Sequence, residues 1–430
     1  MQRQQTTQCS LTELHLDVLI LLLEEFRRTD FASLRNFSAT CGMLREISMP
    51  TLFRTCMVAS KVPITELFLP IELWPFVRTL YLLDRCPNQP VLCRRGVANN
   101  NAQLCSFYDP LFLSNALRNM PALVTVNLGM RSLMETRRAS VAPHGIPWST
   151  VQAVLSVPHL QSFALRFHRL ASPWLFSGDP EIQLHSPSPR LTAFQYRLPA
   201  KQSDSEYREE GQALAVVLTA FHMTLRSLDL PIALLPMELL RSLEWPELQE
   251  LHFHGERRSV EARYSLSDNM AALRAFDLKV SISSESDCVA EPIWSPAFGS
   301  GFPCQNLQRL SIAFPCPDDA SFASLPPTLR ELTLFCHPRK SLVKYDGSGH
   351  PDRWRQNLLH ASALLRILQS CNLPWLRALG IEYRQDENEA QLIEIISTRF
   401  TMLVELVMIR YAHEQRASTL DSAVCTPLLG

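Results

Sequence analysis

Apolar residues recur along the chain at positions n, n+3 and n+5 in eleven places. The sets are Val77/Leu80/Leu82, Leu123/Val126/Leu128, Leu160/Phe163/Leu165, Leu191/Phe194/Tyr196, Leu225/Leu228/Leu230, Leu248/Leu251/Phe253, Leu273/Phe276/Leu278, Leu307/Leu310/Ile312, Leu329/Leu332/Leu334, Leu376/Leu379/Ile381 and Leu403/Leu406/Met408. Side chains alternate across a strand, so the second and third members of each set face one way and the residues between and after them the other. The pattern predicts one short, one-sided strand per set. Seven sets have a proline two positions ahead of the first member: Pro75, Pro121, Pro158, Pro189, Pro246, Pro327 and Pro374. Proline lacks a ladder donor and is tolerated where a strand begins, not inside it. Between the strands, 110–119, 150–156, 212–222, 237–243, 357–370 and 390–400 carry apolar residues at three- and four-residue spacing, which predicts helices.

A one-sided strand cannot bury its apolar face alone, so strand and helix repeated this often predict a solenoid whose core is shared between neighbouring units. A buried large side chain contributes about 1.5–3 kcal/mol against an ordering cost of similar size, so no single unit should fold in isolation. The pattern resembles the leucine-rich repeat, with short parallel strands inside and helices outside. It departs from regular members in two ways. The sets average about 33 positions apart, against roughly 20–29 for the class. Eight positions after the first leucine, where regular members place Asn or Cys, stand residues such as Arg131, His168, Pro199, Ala233, Glu256, Pro315, His337, Arg384 and Tyr411. The expectation is an irregular α/β solenoid over 57–411, with excursions at 84–109, 281–305 and 337–355.

Residues 11–56 follow a different period. Leu16, Leu19, Ile20, Leu23 and Phe26 form one helical stripe. Thr29-Asp30 offers an N-cap to a second helix carrying Phe31, Leu34 and Phe37. A third helix begins near Thr40, carries Leu44 and Ile47, and is expected to stop at Pro50. Gly42, costing about 1 kcal/mol inside a helix, predicts that this third helix is short. Below about 60 residues a single core is marginal, so such a unit leans on a neighbour or a partner.

This run resembles an F-box. The matching residues are Leu11 and Leu14, Leu19 and Leu23, Asp30-Phe31 with Leu34, Ser38-x-Thr40-Cys41 with Leu44-Arg45, and Pro50-x-Leu52-Phe53. Thr12 stands where the family commonly has proline, and Gly42 where it commonly has a basic residue. The resemblance implies the substrate-recognition subunit of a Skp-cullin-F-box ubiquitin ligase. It would dock on a Skp-family adaptor, and through it a cullin, by way of Leu11, Leu14, Leu19, Leu23, Leu34, Leu44, Pro50, Leu52 and Phe53. Some of these must form the unit's own core, and the sequence does not divide them. Such a subunit contributes proximity rather than bond chemistry. The alternative is that the helices merely cap the first repeat, leaving a non-catalytic scaffold for protein–protein interaction without ubiquitin transfer.

The substrate would meet the inner strand face. Its outward positions, Tyr81, Arg166, Arg197, Asp229, His252, His254, Lys279 and Glu382, are the candidate contacts, together with Asn127, Arg309 and Glu405. They mix both signs, which predicts neither a phosphate clamp nor an acid-reading groove.

Composition narrows the classes further. Lys+Arg 41 against Asp+Glu 42 leaves a net charge of -1, no global field toward nucleic acid or anionic lipid. The longest early apolar run, 18–23, is far short of the roughly 20 residues of a membrane span. Twelve cysteines include no pair at zinc-knuckle spacing, so reduced thiols and a cytoplasmic or nuclear location are expected. His252 and His254 could offer a metal two ligands at strand spacing, with no third nearby. Neither Gly299-Ser300-Gly301 nor Gly347-Ser348-Gly349 has the remaining glycines or lysine of a phosphate cradle, and no Gly-x-Ser-x-Gly elbow is present. No cofactor, metal or enzymatic activity is expected. Residues 1–10 and 412–430 carry no pattern and are expected to be mobile.

Overall fold

The computed structural model describes residues 14–60, 64–84, 108–130, 145–170, 190–198, 204–235, 237–257, 269–282, 302–335 and 358–412. Both termini and most of the three expected excursions lie outside the described residues.

Twelve parallel strands form one sheet in sequence order: β1 (Thr55–Ser60), β2 (Thr79–Asp84), β3 (Thr125–Met130), β5 (Ser162–Arg166), β7 (Ala193–Arg197), β8 (Ser227–Pro231), β9 (Glu250–Arg257), β10 (Ala275–Ile282), β11 (Arg309–Ile312), β12 (Glu331–Leu334), β13 (Ala378–Arg384) and β14 (Glu405–Tyr411). β4 (Gly145–Ile146) and β6 (Arg169–Leu170) make a separate two-stranded pair. The register joins set to set. The second members run in one row, Leu80, Val126, Phe163, Phe194, Leu228, Leu251, Phe276, Leu310, Leu332, Leu379 and Leu406. The third members make a parallel row beside it. Both rows are buried as far as β13 and become half-buried at Leu406 and Met408, on the last described strand. The architecture is the α/β solenoid the apolar sets predict.

β1 carries a set that the sequence reading did not pick out, Phe53/Cys56/Val58. Cys56 and Val58 alternate inward and pair with Leu80 and Leu82; Phe53 stands at the first position of the n, n+3, n+5 pattern and packs against the core, but its amide closes the end of a helix on Met49 rather than a proline turn. The segment read from the sequence as helical over 11–56 gives way to strand at Thr55.

The prolines have a sharper role than starting a strand. In the turns Met120-Pro121-Ala122-Leu123, Val157-Pro158-His159-Leu160, Trp245-Pro246-Glu247-Leu248, Pro326-Pro327-Thr328-Leu329 and Leu373-Pro374-Trp375-Leu376, the amide of the first apolar member donates to the carbonyl three residues back, at 3.1–3.4 Å. Proline thus occupies the second turn position, where its fixed φ is already correct. The first apolar member both closes the turn and plugs the core.

Stacking rests on a main-chain ladder at the same end of the strands. The carbonyl of Arg54 accepts two amides from the next repeat, Arg78 and Thr79. The arrangement recurs at Arg78, Val124, Gln161, Thr192, Arg226, Gln249, Arg274, Gln308, Arg330 and Arg377, with distances of 2.7–3.0 Å throughout. A side-chain asparagine ladder is dispensable when the backbone satisfies itself this regularly.

Helices cover one face of the sheet: α4 (Pro110–Arg118), α5 (Trp148–Leu155), α6 (Asp204–Phe221), α7 (Met237–Ser242), α8 (Ala361–Ser370) and α9 (Glu389–Arg399). Each turns its apolar stripe inward, as with Ala361, Leu364, Leu365 and Leu368 of α8. The other face, the open face, carries no described helix.

Ahead of the sheet, α1 (Leu16–Thr29), α2 (Phe31–Thr40) and α3 (Gly42–Leu52) pack together. Asp30 caps α2, accepting from the Ala32 amide at 3.0 Å, as the sequence suggests. The third helix is not short. Gly42 sits at its first position rather than in its interior, where flexibility costs little. Pro50 lies inside the last turn instead of ending the helix.

Candidate functional site

Two surfaces carry the residues of interest. In the three-helix unit, Leu19, Leu23, Leu34 and Leu44 are 0–1% exposed and form its core. They lie beyond reach of a partner while the unit is folded. Leu14, Leu52 and Phe53 are half-buried and Pro50 is exposed, while Leu11 lies outside the described residues. The exposed apolar side chains are others: Leu16, Val18, Ile20 and Leu21 of α1, Phe31 opening α2, and Met43 of α3, at 40–70% exposure. Leu16 and Ile20 belong to the stripe read from the sequence but lie on its outer flank.

On the open face, strand register sorts the mixed list of charged residues into rows. Between the two buried apolar rows stand Tyr81, Asn127, Ala164, Gln195, Asp229, His252, Asp277 and Ser311. One row further along are Gly129, Arg166, Arg197, Pro231, His254 and Lys279.

The acids of the middle row are buried and the cations stand above them. Asp229 accepts from Arg197 Nε at 3.0 Å and its Nη at 2.8 Å, from His254 Nδ1 at 2.9 Å, and from the Gln195 amide. Asp277 accepts from His252 Nδ1 at 3.0 Å and Lys279 Nζ at 2.9 Å. Burial pushes both carboxyls up. The hydrogen bond and charge of His254, with Gln195 and Arg197, reverse this and hold Asp229 well below the usual carboxylate range. His252 and Lys279 likewise hold Asp277 at about 2. The bond to Asp277 raises His252, against the opposing effect of burial. Arg166 donates from Nε to the Gln195 side chain at 3.0 Å, so Arg166, Gln195, Asp229, Arg197 and His254 form one connected network.

Six of the eight candidate side chains therefore meet in two neighbouring clusters: Arg166, Arg197, Asp229 and His254 in one, His252 and Lys279 in the other. Tyr81 stands apart, two strands from Arg166, half-buried. Glu382 is fully buried and accepts from the Tyr411 hydroxyl at 2.9 Å; β14 covers it, and it is no contact for a partner. Sequence reading missed Gln195 and Asp277, which occupy the same place in their sets, between second and third members, as Asp229 and His252. Aligning the sets position by position would have found them. His252 and His254 each turn Nδ1 to an aspartate, and among the described residues no group of three or more His, Cys, Asp or Glu could hold a metal.

No family model matches the chain, and neither does any curated protein. Among solved structures it is similar to a Rad7 and Elc1 complex in yeast, at 14% identity over 96% of this chain and 92% of that one, with a TM-score of 0.36. A superposition that loose says nothing about what this chain binds.

Proposed function

We propose that this chain is the substrate-recognition subunit of a Skp-cullin-F-box ubiquitin ligase. Its three-helix unit docks on a Skp-family adaptor, and through it a cullin, while the open sheet face holds a protein substrate. The observation that supports this is the outside of α1. From Leu16 to Leu23 only Asp17 is polar, yet only Leu19 and Leu23 of that stretch enter the core. A helix apolar all round is ordinarily a buried one, and contiguous exposed apolar surface marks an interaction site. The likeness of this segment to an F-box supplies the partner class. The subunit itself performs no bond chemistry; it raises the local concentration of substrate beside an activated ubiquitin, in the cytosol or nucleus.

The test is co-expression with a Skp-family adaptor and size-exclusion chromatography of wild type and of Leu21→Asp/Phe31→Asp, whose side chains are 70% and 50% exposed. A one-to-one complex with the wild type, lost in a variant of unchanged circular dichroism, is expected. A complex that survives the variant would remove the proposed surface. A folded wild type that forms no complex would leave the non-catalytic scaffold as the reading.

A further inference from the structure

We propose that the open face binds an extended acidic segment of a protein partner, whose carboxylates sit along the row of Arg166, Arg197 and Lys279. This deepens the receptor reading, and it rests on that reading for the statement that the segment belongs to the substrate.

Depth separates the charges of the open face. Asp229 and Asp277 have side chains only 11% and 9% exposed, while their partners Arg197 and Lys279 are 51% and 47% exposed. What a sequence list shows as balanced charge is, to an approaching molecule, a row of cations with the acids beneath it. Arg197 spends Nε and one Nη on Asp229, and its side chain remains half exposed. Lys279 has donors beyond the one it gives Asp277. The partner of Arg166 is a neutral amide, so its charge is uncompensated there. From Gly129 to Lys279 that row contains no carboxylate. Glu250, on the row at the other end of the strands, is 47% exposed and faces cations of its own, His252 at 3.7 Å and Arg309 at 3.8 Å.

The spacing selects the ligand. Strands lie about 4.8 Å apart, so the row from β5 to β10 spans roughly 19 Å. A single phosphate needs donors converging on one point; these donors are strung out instead. An extended peptide advances about 3.3 Å per residue, so roughly six residues cross the row and present several separated carboxylates to it. The buried acids also fix the cations before binding, which lowers the ordering cost of association.

The test uses the full-length chain, without adaptor, and fluorescence polarisation of a fluorescein-labelled peptide of alternating glutamate and serine. A lysine/serine peptide and a serine peptide with one phosphoserine serve as comparisons. The acidic peptide should bind best, and its affinity should fall with added salt. Arg166→Gln, which touches no buried acid, should weaken it several-fold. Arg166→Gln/Arg197→Gln should weaken it by about tenfold or more. Arg118→Gln, exposed on α4, should leave it unchanged. Equal binding of the acidic and basic peptides, tighter binding of the phosphoserine peptide, or indifference to Arg166→Gln would each overturn the inference. Because no adaptor is present, acidic-peptide binding persists if the receptor reading alone is wrong.

Discussion

Replacing Asp277 by asparagine removes one negative charge from beneath the open face while keeping the side chain's shape. Its carboxyl is held at about 2 instead of 3.8. At about 1.4 kcal/mol per pH unit, the charge contributes about 2 kcal/mol to stability at neutral pH. A depressed carboxyl stabilises above its unfolded value and loses that contribution as pH falls through the folded one. The penalty for Asp277→Asn should therefore be full above about pH 5, roughly half at pH 3, and nearly absent at pH 2. His252 runs the opposite way: its raised value makes its contribution complete below the unfolded value and lost as pH rises through the folded one.

The assay is urea unfolding of both proteins at pH 7, 5 and 3. Long repeat arrays depart from two-state behaviour, so hydrogen exchange of peptides covering β9 and β10 gives the local reading. The His252 ring should also titrate lower in the variant, because the bond that raises it has lost its charge. A penalty as large at pH 3 as at pH 7 would refute the reasoning, since it would assign the loss to packing rather than to ionisation.

Three further outcomes follow from buried contacts. Tyr196→Phe removes a hydroxyl that donates to Glu210 at 2.8 Å and accepts from the Leu170 amide at 3.0 Å; at about 1–3 kcal/mol for each buried group affected, a loss of about 2–5 kcal/mol is expected in urea unfolding. Gly380→Ala places a Cβ 2.8 Å from Cζ of Phe335, so the ring must shift; a loss of about 1 kcal/mol is expected, and a neutral result would show that the ring moves without cost. The Cys371 thiol is pushed to about 12 by burial. It should resist iodoacetamide at pH 8 in the native protein and react in urea, whereas half-buried Cys41 should react in both; rapid native labelling at Cys371 would show that α8 opens readily.

How much was legible in the sequence follows from which physics is local. Strand positions were readable because most sets satisfy two local requirements, a turn closed by the first apolar member and two inward side chains after it. The prolines were readable as markers, though their place within the turn emerged only from the hydrogen bonds they permit. β1 was hidden because its set, Phe53/Cys56/Val58, has no proline turn ahead of it and begins where a helix ends. The core of the helical unit was blurred for a similar reason. Leu19 and Ile20 both fall on an apolar stripe, and only the packing of α2 and α3 decides that Leu19 goes in and Ile20 stays out. Most of all, sequence cannot see depth. Asp229 and Arg197 were read as equals on one face, and burial separates them into a support and a contact.

That separation also governs how the two surfaces relate. The carbonyl of Arg54 is the first rung of the main-chain ladder, and its guanidinium donates to Glu24 of α1 at 3.0 Å. The ion pair is partly exposed and adds little by itself. The stronger link is β1, which follows α3 after two residues and pairs with β2 along its whole length. The three-helix unit is thus attached through a sheet strand rather than by a flexible linker. Whatever binds the outside of α1 is held in a defined orientation to whatever binds the row of Arg166 and Arg197. Effective concentration falls steeply when a tether is slack or misdirected, so a receptor that works by proximity benefits from this junction. Inserting a short glycine-serine segment between Phe53 and Thr55 should leave adaptor binding and acidic-peptide binding each intact while reducing ubiquitin transfer in a reconstituted ligase. Undiminished transfer would mean that the orientation set by β1 is irrelevant to function.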